Sequence, residues 1–200
     1  MGGVMGGAPR ARRRSAWTTG TIWAGALAAT AMLFMACGSH STKASGSSST
    51  SSSAEDANLA AGDFPNINTM TPVGDHFVTN VRGHLDEALA VARSPQGGRY
   101  PVGTIIQLVP QEAMVKRAAG FSPATNDWEF FSLDISSTGT KILSRGGAEV
   151  LNRFGGSCSG CHGAAQPAFD FVCGQDHGCA PLPIGPDVIK ALQAADPRPH

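Results

Sequence analysis

Cys158-Ser159-Gly160-Cys161-His162 puts two thiols three positions apart and an imidazole directly after the second, late in a chain of 200 residues. That order matches the C-x-x-C-H pattern of covalent haem attachment. Each thiol adds to one haem vinyl group, and the adjacent His162 is held on one face of the ring, where its nitrogen binds iron as the proximal ligand. Two other readings of the pair are a redox C-x-x-C and half of a zinc site. Zinc normally requires a second Cys or His pair; Cys173, His177 and Cys179 lie downstream, but the contiguous histidine favours haem c.

The late position narrows the fold. An ordinary electron-transfer cytochrome c carries this motif near its domain start and takes an axial Met from further along, whereas no Met follows Cys161 here. The sixth ligand must come from upstream or be missing. A four-helix haem bundle does carry the motif late, yet three β-type runs precede it and do not suit a bundle.

Residues 85–93 are dense in strong helix formers, with Leu85, Leu89 and Ala92 at helical spacing, and Gly97 and Gly98 follow. Residues 104–109 form a β-branched run closed by Pro110. Residues 128–135 form a strand with Phe131, Leu133 and Ile135 on one face and Trp128 and Phe130 on the other, so a central position is expected. Residues 136–140 turn a hairpin and 141–145 return antiparallel. Residues 111–119 fit a short helix or a bulged strand equally well, and residues 148–154 are expected as one or two helical turns. Pro186-Asp187 opens a last helix carrying Val188, Ile189, Leu192 and Ala195. Residues 58–72 read as irregular, docking Phe64. The fold class is therefore α+β, an antiparallel sheet packed with a few helices, with one haem c motif near the C-terminus.

Upstream, Arg10, Arg12, Arg13 and Arg14 precede an apolar run over residues 21–36, a signal-peptide pattern. Leu33-Phe34-Met35-Ala36-Cys37 resembles a bacterial lipobox, which makes Cys37 the lipidated residue of an exported lipoprotein; a plain cleaved signal or an uncleaved anchor are the alternatives. The expected organisation is a leader over residues 1–37, a Ser-rich flexible tether over 38–60 and a haem c domain over 61–200. Cys173 and Cys179 then remain as a pair able to form a disulfide outside the cytoplasmic membrane, in the periplasm or at the cell surface. Four of the fifteen basic residues and no acidic ones lie in the leader, leaving eleven basic against fifteen acidic residues beyond it. An acidic remainder without a Lys/Arg run lacks the footprint of a nucleic-acid binder.

One set of words, taken in order, resembles the cytochrome P-460 and cytochrome c′-beta family. It comprises Pro101-Val102-Gly103-Thr104-Ile105-Ile106, Met114-Val115-Lys116-Arg117, Asp127-Trp128-Glu129-Phe130-Phe131 and Cys158 to His162. The resemblance spans roughly residues 75–175. It implies a His-ligated iron with an open or loosely occupied distal side, and hydroxylamine or nitric oxide chemistry or small-gas binding with a redox partner protein. Hydroxylamine-oxidising members carry a lysine joined to the haem ring. The run over residues 104–109 has none, so Lys116 and Lys141 are the lysines in plausible range, Lys116 being read as a solvated side chain. Without that link the expectation moves to gas binding or electron transfer, with hydroxylamine or nitric oxide oxidoreduction as the alternative.

For the distal side the candidates are Met114, His76, His84, His177 or no protein ligand. The favoured picture is an apolar pocket drawn from Phe121, Phe130, Phe131 and Phe154. Glu129 reads as a solvated strand residue or a pocket acid. Arg117, Arg145 and Arg153 are candidates for the haem propionates, since guanidinium pairs bidentately with carboxylate.

Overall fold

A computed structural model describes residues 56–200. The leader, Cys37 and most of the Ser-rich stretch lie outside the described residues. The described chain builds one six-stranded antiparallel meander, β1 Thr71–Val73, β2 His76–Asn80, β3 Thr104–Gln107, β4 Glu112–Lys116, β5 Trp128–Ser136 and β6 Gly139–Gly146, lying side by side in chain order. Helix α1, Leu85–Arg93, connects β2 to β3; the one-turn helix α2, Cys158–His162, and α3, Pro186–Ala194, follow β6. The fold is α+β. Among the described residues no helix is long and apolar enough to cross a membrane.

Both faces of the sheet are covered, and that explains the unbroken burial of Thr104, Ile105, Ile106 and Gln107 in β3. The register sets Val78 beside Ile106, Ile106 beside Met114 and Met114 beside Phe130, a lateral apolar row on one face. Alternation puts Trp128 on that face too, where Ala88, Tyr100, Val150, Cys158 and Val172 pack over it. The opposite face carries Ile105, Ala113, Val115, Phe131 and Leu133, covered by Ala57, Leu59, Phe64, Ile67 and Met70. The split of Phe130 from Phe131 is the one the sequence alternation predicts.

Several expectations change. The tether boundary at residue 60 falls inside the folded unit: Ala57 and Leu59 are core residues, and the Asp56 carboxylate accepts from Arg117 Nε and Ala118 N, both at 2.9 Å. Arg117 holds the Asp56 carboxyl down to about 2. The stretch read as irregular buries Leu59, Phe64, Ile67 and Met70 rather than one aromatic, and it ends in β1. The β1–β2 hairpin was not anticipated; Val73 pairs with His76 across Gly74-Asp75, where Gly74 takes φ 61°. Within residues 111–119 the strand β4 occupies Glu112–Lys116 and no helix forms. Residues 148–154 form no helix, because Asn152 Oδ1 accepts from the Phe154 and Gly156 amides and closes a local turn instead. In α3, Ile189 is buried while Val188 is half exposed, so its apolar side is narrower than the spacing suggests.

Candidate haem-attachment site

Helix α2 begins where Cys158 N donates to Val150 O at 3.0 Å, and Ser157 caps it by accepting from Gly160 N at 3.2 Å. One turn therefore carries both thiols and the imidazole. Cys158 points into the core beside Val150 and Val172, while Cys161 is exposed. The His162 ring is tilted against Phe130 with centroids 5.2 Å apart.

His162 Nδ1 lies 2.8 Å from the carbonyl oxygen of Phe171. A carbonyl only accepts, so Nδ1 carries the proton and Nε2 keeps its lone pair. Burial pulls the imidazole below the ordinary histidine value, more than the Phe171 carbonyl restores, which favours the neutral form that binds a metal. The donor set thus fits a c-type haem: two unpaired thiols on one turn and a histidine with its second nitrogen already satisfied.

The competing chemistries fit less well. Burial, with Glu112 nearby, pushes the Cys158 thiol up to about 11, opposite to the lowered value of a redox C-x-x-C thiol. Among the described residues no group of three or more His, Cys, Asp or Glu could hold a metal ion, and Cys173 is bonded to Cys179 across a Cα separation of 5.7 Å. His177 Nδ1 donates to Val172 O at 2.8 Å and its ring stacks on Phe169.

What holds Phe171 is less expected. Asp170 and Phe171 occupy the left-handed region in succession, at φ 51° and 68°, which costs a bulky side chain about 1–3 kcal/mol. Asp170 anchors the turn. Its carboxylate accepts from Tyr100 N at 2.8 Å, from Lys116 Nζ at 2.8 Å to each oxygen, and from Asn126 Nδ2; its carbonyl accepts from Trp128 Nε1. The segment ahead of it is pinned by Gly98 N donating to Ala168 O at 2.8 Å. Residue 97 must be glycine for this, at φ 71° and with space so tight that a Cβ would meet Ala168 O at 2.1 Å.

The other candidates disperse. Phe130 alone of the four phenylalanines lies at the motif: Phe131 is on the opposite face, Phe121 stacks under Arg117 and Phe154 is 45% exposed. Met114 pairs with Phe130 in the register and shares its face. His76 is buried in β2 with Nε2 lacking a partner, yet β2 lies three strand spacings from β5, about 14 Å away. His84 is exposed beside Glu87.

Glu129 is neither a solvated residue nor a pocket acid. It is buried opposite the motif face, between Arg117 and Arg145. Both guanidinium groups are thereby committed, while Arg153, the third candidate, is exposed and donates to Gln111 at 3.1 Å. Lys116, expected in solvent, is 1% exposed in its ion pair with Asp170. Burial lowers its ammonium below the ordinary lysine range although Asp170 opposes this. Lys141 stands on the outer strand β6, exposed. A cavity of about 390 Å³ opens beside Arg99, Tyr100, Lys116 and Arg117, but these cations already face Asp127, Asp170, Asp56 and Glu129. The chain matches no protein-family model, no curated protein and no solved structure.

Proposed function

We propose that the domain is a mono-haem c protein of cytochrome P-460-like type that binds a small gas or passes electrons outside the cytoplasmic membrane, tethered by a lipid on Cys37. The observation that carries this reading is the His162 Nδ1–H donated to the Phe171 carbonyl, on the same turn as the unpaired Cys158 and Cys161. When bound, the group supplies an iron that coordinates a diatomic ligand and cycles between two oxidation states. Cys158 and Cys161 would hold it by two thioethers, and His162 would present Nε2 to it. Phe130 and Met114 offer an apolar wall, and the disulfide Cys173–Cys179 suits the exported, oxidising compartment that covalent attachment also requires.

The alternative, oxidoreduction of hydroxylamine or nitric oxide with a lysine bound to the ring, draws less support. Lys116 Nζ is already engaged by Asn126 O at 2.7 Å and by both Asp170 oxygens at 2.8 Å. Carbon monoxide titration of the reduced holoprotein tests the preferred reading. Sharp c-type ferrous bands that shift on adding the gas are expected, with a hexacoordinate spectrum indifferent to the gas leaving electron transfer alone. A spectrum whose ferrous band is displaced far to the red, with a mass that two thioethers do not explain, overturns it in favour of the cross-linked enzyme.

A further inference from the structure

The geometry points to Asp170 as a positioning residue for the iron ligand: through the buried pair with Lys116 it clamps the strained turn whose next carbonyl orients His162. This rests on the haem c reading. The chain of contacts is short. Lys116 Nζ and Tyr100 N fix the Asp170 carboxylate, Trp128 Nε1 fixes the Asp170 carbonyl, and the following residue presents its carbonyl to His162 Nδ1 at 2.8 Å.

A strained backbone and one buried polar network meet at that carbonyl. Phe171 is an aromatic residue in the left-handed region, a conformation that persists only when its surroundings impose it. Asp170 and Lys116 are buried charges, 3% and 1% exposed, and the pair joins β4 to the segment after the motif, 54 residues apart. Asn126, itself left-handed, closes the ring by donating to Asp170 and by accepting from Lys116. A buried ion pair is weak evidence of stabilisation, because desolvation offsets its attraction. It is a good device for holding one backbone geometry. Donation from Nδ1–H makes the imidazole a stronger ligand, so whatever fixes the acceptor tunes the iron.

The test compares haem-loaded wild type with Asp170→Asn, Lys116→Met/Asp170→Asn, Phe171→Gly and, as a control, Asp196→Asn. Asp196 belongs to a second buried pair, with Arg198, whose partners are Ile67 and the Arg198 backbone rather than anything touching His162. The readouts are the ferrous iron–histidine stretching frequency, the reduction midpoint and the thermal midpoint. Both Asp170 variants and Phe171→Gly are expected to lower the stretching frequency and move the reduction midpoint positive, since a looser acceptor weakens the donation. Asp196→Asn is expected to lower the thermal midpoint and leave the other two readouts where they are. Folded Asp170 variants with wild-type frequency and midpoint overturn the assignment. If the Asp170 variants do not fold, Phe171→Gly decides by the same shift or its absence. A wild type that carries no covalent haem removes the underlying reading as well, and shows itself separately as loss of haem stain in every sample.

Discussion

Lys116→Met is expected to destabilise the domain by about 3–5 kcal/mol. The methionine fills much the same volume, so cavity formation contributes little. The loss comes from Asp170, whose carboxylate is 3% exposed and would keep only the Tyr100 amide and Asn126 Nδ2 as donors. A buried carboxylate stripped of its counter-charge pays desolvation without return. Desolvation offsets much of the attraction within a buried ion pair, so removing both charges together costs less than stranding one of them. Lys116→Met/Asp170→Asn should therefore recover most of the loss, and urea unfolding of the four proteins gives the coupling directly. A single variant within about 1 kcal/mol of wild type contradicts the buried-pair account.

Glu129→Ala should cost about 3 kcal/mol, on the opposite face and for a related reason. Glu129 sits between Arg117 and Arg145, accepting from Arg145 Nε at 2.6 Å and Nη2 at 2.9 Å as well as from Arg117 Nη1. Arg117 retains Asp56, and Arg145 retains the Leu59 carbonyl at 2.7 Å, which keeps the cost below that of stranding Asp170. Both retained partners, Asp56 and the Leu59 carbonyl, lie in one short segment, residues 56–59. The variant should accordingly loosen that segment first, seen as faster amide exchange at Ala57 and Leu59 with the haem spectrum unchanged. Exchange rates there equal to wild type contradict the account.

The parts of the fold that rest on local periodicity could be read from sequence. The α1 span, the two-faced β5 and the β5–β6 hairpin follow from spacing alone, and their bounds agree with the structure to within two residues. The parts that were missed depend on partners far along the chain. Residues 73–84 carry no assigned element in the sequence reading, yet with Gly74-Asp75 taken as a two-residue hairpin loop His76-Phe77-Val78 alternates correctly. Ala57 and Leu59 look like the end of a tether because only the sheet face they cover makes them core.

The spacing of Cys158, Cys161 and His162 stands in the sequence itself, and the haem proposed for it rests on that spacing and on the His162 hydrogen bond. The support of that hydrogen bond was not legible there. Lys116 beside Arg117 has the look of a solvated pair, and nothing local reveals that alternation turns one to each face. The one available sign was a lone acid, Asp170, between Phe169 and Phe171, where an unpaired charge would be costly. Glu129 in an apolar strand carried the same sign and has the same explanation.

The central claim is that Cys158 and Cys161 carry haem, and the direct measurement is the intact mass of the protein produced with c-type maturation machinery in an exported compartment, read alongside thiol alkylation after denaturation. One added haem that survives denaturation, with Cys158 and Cys161 both refractory to alkylation, is the predicted result; Cys161→Ser and His162→Ala should lose the wild-type stain and spectrum. A polypeptide mass alone, with both thiols alkylated in full, contradicts the account.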